Sequence, residues 1–169
     1  MLMATKALVT VEEYLRTSFD GPDREFVDGD IVERNVGDKQ HSRVQGRMVV
    51  LFSLCGKTTP LFCYPELRIK LSAARYRVPD VAVFSPSEPV GDVPSTPPLI
   101  AVEIVSPDDR HSDIIGKLEE YRAWGIPHVW LIDPRLRKIY VYTQAGLQAV
   151  ESFQAAEIGA SMPAGEIFA

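Results

Sequence analysis

Leu99-Ile100-Ala101-Val102-Glu103-Ile104-Val105 is the stretch whose reading decides the fold. Six of its seven residues are apolar. A continuous apolar run of this length, rather than an alternating one, marks a central strand covered on both faces. Glu103 interrupts it. An isolated carboxylate there would be costly or would become protonated, so it needs a cation, hydrogen-bond donors or water. A buried ion pair with arginine or lysine meets that need, and so does a functional site.

Upstream, Ser85 to Pro98 holds five prolines in 14 residues and reads as a loop. Before it, Tyr76 to Phe84 reads as a strand in which Pro79 fits only at a bulge, an edge or an end. Asp80 opens its apolar run Val81-Ala82-Val83-Phe84. If the two strands are neighbours, Asp80 and Glu103 converge, and two convergent carboxylates suit a hard cation such as Mg²⁺. Taken alone, Pro-Asp is an ordinary turn signal. Downstream, Ser112 to Trp124 carries Ile114, Leu118 and Tyr121 on one helical face, with Gly125 and Pro127 as stop signals. Lys117 on that helix either points back at the carboxylates or pairs with Asp113 at i,i+4 spacing. Asp113 itself is explained by the helix dipole.

Farther out, Thr10-Val11-Glu12-Glu13 has capping-box spacing and predicts a short helix after Thr10. Arg24 to Asn35 reads as two short strands around the Asp28-Gly29 turn. Val44, Met48, Leu51, Phe52 and Cys55 recur at helical spacing, which predicts a helix over Gln40 to Lys57. Leu61 to Leu71 alternates after Pro65, with Leu67, Ile69 and Leu71 on one face of a half-buried strand. Val129 to Ile132 is a further buried strand, and Ile139 to Tyr142 with Leu147 to Phe153 form a closing hairpin around Ala145-Gly146. The fold class is α/β (an α+β mixed sheet): a central mixed sheet flanked by helices, with an extra N-terminal helix and hairpin. With no repeat and no linker, residues 1–169 read as one domain.

Composition narrows the classes. A chain of 169 residues that is 46% hydrophobic and 24% charged is ordinary for a globular protein, not collagen-like or disordered. No apolar run approaches the ~18 residues needed to span a bilayer. Met1 to Lys6 lacks the apolar core of a signal peptide. Cys55 and Cys63 are too few for a disulfide scaffold and read as buried free thiols in a reducing cytoplasm. The net charge of −5 argues against coating nucleic acid through bulk charge. Basic clusters occur at Arg43/Arg47, Arg68/Lys70/Arg75/Arg77 and Arg135/Arg137/Lys138, each read alone as a solvated face.

In order, Val78-Pro79-Asp80, Val102-Glu103-Ile104-Val105-Ser106-Pro107, Asp113-x-x-x-Lys117 and Tyr121 with Gly125 resemble the PD-(D/E)XK nuclease superfamily. More narrowly, the chain is similar to the Uma-two family of putative restriction endonucleases. Arg24-Glu25-Phe26-Val27-Asp28-Gly29, His41 and Val129-Trp130-Leu131-Ile132-Asp133-Pro134 extend the match, which runs from about Val9 to the C-terminal segment. The resemblance implies a restriction-endonuclease-like fold with Asp80 and Glu103 as Mg²⁺ ligands, Mn²⁺ being a possible substitute. The superfamily's usual lysine position, two residues after the acid, is Val105 here, and Lys117 occupies the matching position on the following helix. Glu25 matches a family glutamate that the resemblance implies completes the site, and reads equally as a hairpin surface charge. His41 also reads as a hydrogen-bonded structural residue at a helix start, and Glu66 as part of a solvated strand face.

The implied activity is Mg²⁺-dependent hydrolysis of phosphodiester bonds in DNA by a cytoplasmic homodimer without membrane contact. The alternative is a nuclease-fold module that binds nucleic acid or protein without turnover, a reading that Val105 supports. A hydrolase of small phosphate esters finds no phosphate loop, His/Cys cluster or nucleophile elbow in the sequence.

Overall fold

The computed structural model describes residues 8–55 and 57–169, so the reading of Met1 to Lys6 lies outside the described residues. Helix α1 (Val11–Arg16) starts at Thr10, whose hydroxyl accepts from the Glu13 N–H while the Glu13 carboxylate accepts from the Thr10 N–H. Strands β1 (Glu25–Val27) and β2 (Asp30–Val32) then form the expected hairpin. Its two turn residues, Asp28 and Gly29, both have positive φ (51° and 92°), which Asp-Gly accommodates well. Helix α2 (Lys39–Leu54) is capped by the Asp38 carboxylate on the His41 N–H and buries His41, Val44, Met48, Leu51 and Phe52.

The next segment departs from the sequence reading. Each of the two predicted strands, Leu61 to Leu71 and Tyr76 to Phe84, is broken in the middle. The pieces are β3 (Phe62–Pro65), β4 (Ile69–Ser72), β5 (Arg75–Arg77) and β6 (Val81–Phe84). Antiparallel pairing joins β4 to β5 and β3 to β6, so the segment is one hairpin bent at its waist. Its tip joins a four-stranded sheet ordered β2-β1-β5-β4. Its base joins the main sheet. Two local features make the bend. Glu66 sits at φ 52°, which ends the pleat on one arm, and Pro79 lacks the N–H that would continue the other. The Glu66 N–H donates to the Asp80 carbonyl across the bend at 3.3 Å. Leu67, Ile69 and Leu71 do pack into one apolar cluster, as the alternation predicts.

The main sheet is completed by β7 (Ile100–Ile104), β8 (His128–Asp133), β9 (Lys138–Thr143) and β10 (Gly146–Val150), in the order β10-β9-β8-β7-β6-β3. Helix α3 (His111–Trp124) crosses between β7 and β8, the parallel pair, and ends at Gly125 with φ 99°. Every residue of β7 is buried, as its apolar run requires. Ile100, Val102 and Ile104 pack toward α2, and Ala101 shares a cluster with Leu118 and Tyr121 of α3. The mixed sheet flanked by helices is therefore the observed fold class. Among the described residues no helix is long and apolar enough to cross a membrane.

The closing hairpin is shorter than expected. Phe153 belongs to β11 (Ser152–Ala155), which pairs with β12 (Ala160–Pro163) in a separate two-stranded sheet followed by α4 (Ala164–Ile167). Alternation continues across Glu151 while the backbone changes sheets, so the pattern alone does not reveal the break. This unit covers the α2 side of the core. Phe153 stacks on Trp130 at 4.3 Å between centroids, and Phe52 stacks on Trp130 at 5.9 Å. Replacing Phe153 with alanine should therefore cost about 3–5 kcal/mol in urea unfolding, whereas Leu54→Ala, on an exposed position, should change stability by less than about 0.5 kcal/mol. Equal small effects would show that the C-terminal unit is not part of the core.

Candidate active site

The bend places Asp80 where the β6–β7 ladder runs out. That ladder ends at Val81 opposite Val102, and the Ile104 N–H beyond it donates to Asp80 Oδ2 at 2.7 Å. The same oxygen lies 3.3 Å from His41 Nε2 in the first turn of α2. Arg34 Nη2 donates to Oδ1 at 2.9 Å, and Gln45 Nε2 donates to the Asp80 backbone carbonyl at 3.0 Å. Burial works against the Asp80 charge. The hydrogen bond from His41, the charges of His41 and Arg34 and the Ile104 N–H outweigh it and hold the carboxyl below its ordinary range. Gly37 makes the histidine's position possible, because a Cβ there would lie 2.5 Å from His41 Nδ1.

Glu103 lies on the α3 side of the sheet. Tyr121 Oη donates to its Oε1 at 2.7 Å, and Lys117 Nζ lies 3.4 Å from Oε2. Lys117 and Tyr121 are four residues apart, hence on one face of α3, which is how both reach one carboxylate. Lys117 is nearer to Glu25 Oε1, at 3.1 Å. Lys117 thus points back at the carboxylates, and the alternative i,i+4 pair with Asp113 does not form among the described residues. Burial, with the charges of Asp80 and Glu25 adding to it, pushes the Glu103 carboxyl up to about 7 despite Lys117. Burial likewise opposes charge on Lys117, yet Glu103, Glu25 and Asp80 hold it above the usual lysine range.

Glu25 is not a hairpin surface charge. It is 2% exposed and accepts from the Val78 N–H at 3.0 Å and from Arg77 Nη1 at 2.8 Å. Burial would raise its pKa, but Lys117, Arg77 and the Val78 N–H bring it below the ordinary value. His41 is buried in the first turn of α2; burial works to lower its pKa, and the hydrogen bond and charge of Asp80 outweigh that, with a net rise. Glu66 stands at the bend rather than on a strand face, 3.6 Å from Arg34 Nη1. Val105 packs into the apolar cluster beside α3.

Glu25, Arg34, His41, Asp80, Glu103 and Lys117 all line one cleft of about 470 Å³. Two of its arginines had no distinguishing signal in the sequence. Arg34 follows the first hairpin in an irregular segment, and Arg77 reads as one member of a basic cluster. That cluster is not a free basic face. Arg68 pairs with Asp23, Arg75 with Asp28 and Glu120, and Arg77 with Glu25 and Glu120. By contrast, Arg43 and Arg47 donate to the backbone oxygens of Ala169 and Glu166, and Arg137 lies over the Phe168 ring.

The donor chemistry of Asp80 and Glu103, two buried carboxylates on one cleft, suits a hard cation. Among the described residues no group of three or more His, Cys, Asp or Glu side chains forms a ready-made metal cage. Further ligands would have to be water, backbone carbonyls or substrate oxygens, which is the habit of Mg²⁺.

The model of the Uma2 family, described as "Putative restriction endonuclease", matches residues 11–165. The fold is similar to the crystal structure of a putative nuclease belonging to DUF820 from Anabaena variabilis ATCC 29413. The TM-score is 0.84 at 21% sequence identity, over 95% of this chain and 97% of that one. No curated protein matches the sequence.

A raised carboxyl pKa fixes the sign of a stability effect. Between about 4.5 and about 7 the folded protein holds the Glu103 proton and the unfolded chain releases it, so stability falls as pH rises through that window. Glu103→Gln removes this loss, and Lys117 keeps its nearer partner Glu25. In EDTA, urea unfolding at pH 5 and pH 8 should show the parent losing about 3 kcal/mol relative to the variant. The variant should match or exceed the parent at pH 8. A variant several kcal/mol less stable at pH 8 would instead make Glu103 a structural ion-pair partner.

Proposed function

The chain belongs to the Uma2 family of putative restriction endonucleases, and on that premise we propose that its cleft hydrolyses phosphodiester bonds in DNA with Mg²⁺. The observation that carries this reading is Glu103: a buried carboxylate beside Asp80, under-compensated by the protein's own cations and open to a cleft. Asp80 and Glu103 would hold the cation, which when bound neutralises charge at the phosphate and makes water a better nucleophile at neutral pH. Mn²⁺ would substitute.

The chain's own groups have separable tasks. The Ile104 N–H, His41 and Arg34 orient Asp80, and Tyr121 orients Glu103. Lys117, held charged between Glu25 and Glu103, orients the attacking water or stabilises the negative charge that develops on the phosphate. Glu25 positions Lys117. Arg43, Arg47 and the segment carrying Arg135, Arg137 and Lys138 would contact the DNA backbone without reading sequence. Cutting both strands needs two sites facing opposite strands, which a two-fold homodimer of this one-domain chain would supply. A module without turnover is the second reading, favoured by Val105. The placement of Lys117 Nζ 3.4 Å from Glu103 favours catalysis.

Lys117→Ala should lower the rate of Mg²⁺-dependent DNA cleavage by roughly 10²–10³, the scale of one transition-state contact. DNA affinity should stay within a few-fold. Plasmid nicking at low salt reads the first and fluorescence anisotropy the second, because weak backbone contacts are lost as ions rise. Parent-like cleavage by the variant would remove Lys117 from the mechanism. No cleavage by the parent of varied DNA and RNA with Mg²⁺ or Mn²⁺ would favour the module without turnover.

A further inference from the structure

Arg34 is a guanidinium with half of its fork unused. Its side chain is 9% exposed. Nη2 donates to Asp80 at 2.9 Å, but the buried Nη1 has no hydrogen-bond acceptor. The acidic atom facing Nη1 is Glu66 Oε1 at 3.6 Å, an ion-pair contact too long for a hydrogen bond. Glu66 is 45% exposed, and its carboxylate accepts no hydrogen bond from the described residues. Arg34, Asn35, His41 and Asp80 also border a second, neighbouring cleft of about 190 Å³, so the guanidinium stands where two clefts meet.

A buried donor without an acceptor bears its desolvation cost uncompensated. An arginine fork fastened on one side and unsatisfied on the other is shaped to take a second oxyanion in its plane. Glu66 is a poor permanent occupant: it is half in solvent, off hydrogen-bond distance and held by no other described residue. We propose that Arg34 is the phosphate-binding residue of the cleft. Nη2 keeps Asp80 oriented, Nη1 takes a non-bridging oxygen of the phosphodiester, and Glu66 is the resting counter-ion that the phosphate displaces. This rests on the phosphodiester reading above and adds to it the residue that holds the substrate's phosphate.

The test needs neither metal nor turnover. A dinucleoside monophosphate, which carries a single phosphodiester, is titrated in EDTA into the parent and into Arg34→Gln, Arg34→Lys and Glu66→Gln. Binding is followed by NMR of the backbone amide signals, which every variant retains, and folding by circular dichroism. Arg34→Gln should weaken binding about tenfold or more, and Arg34→Lys by less, since a point charge replaces part of the fork. Glu66→Gln, which leaves the Arg34–Asp80 pair intact, should tighten binding several-fold because the competing carboxylate is gone. It keeps the test decisive if Arg34→Gln fails to fold. Unchanged affinity in Arg34→Gln, no gain in Glu66→Gln, or no binding by the parent would overturn the proposal. A parent that binds the diester through Arg34 yet cleaves no DNA would sustain it while removing the nuclease reading. A parent that cleaves DNA while Arg34→Gln binds normally would do the opposite.

Discussion

Three carboxylates, Glu25, Asp80 and Glu103, are buried along one cleft, and the need to compensate them organises everything around it. Charges taken out of water must be met by counter-charges and donors from the protein. Each neighbouring element supplies part: Ile104 of β7 an N–H, α2 a histidine, α3 a lysine and a tyrosine, β5 an arginine, and the segment after β2 another. Glu25 and Asp80 are held ionised by this network. Glu103 is the member for which the supply falls short, and that shortfall is the site's chemical opportunity.

The bent hairpin is what makes the convergence possible. A straight β5–β6 strand would put Asp80 in a regular ladder, with its neighbours' N–H groups committed to backbone carbonyls. Breaking it at Val78-Pro79 moves the tip into the second sheet and frees the Ile104 N–H for the Asp80 side chain. The tip's sheet also contains β1, so the same bend brings Glu25 beside Val78 and Lys117. Tertiary placement of the site therefore depends on one interruption of regular structure, a common economy at functional positions.

Much of this was readable from residues alone, and the failures have identifiable causes. Glu103 stood out because it breaks an apolar run, Asp80 because proline marks a strand boundary, and the β1–β2 turn because Asp-Gly tolerates positive φ. The split of Leu61 to Leu71 into two sheets was hidden, since alternation continues through Glu66 although its backbone turns left-handed. Alternation likewise runs on through Glu151 to Phe153, although Phe153 belongs to the separate β11–β12 sheet. Arg34 carries no periodic signal at all: its partner Asp80 lies 46 residues away, and only the fold decides that it is buried. Arg77 reads as solvated in the sequence because its acids, Glu25 and Glu120, come from distant segments.

The central claim is that Asp80 and Glu103 act as one cation-binding pair, and a direct measurement is anomalous scattering from crystals soaked in Mn²⁺. The account predicts a single strong peak bonded to oxygens of both carboxylates at about 2.0–2.6 Å, with Lys117 beside it and not ligating. Crystals that diffract well, and show no peak there or a peak held by other residues, would contradict it.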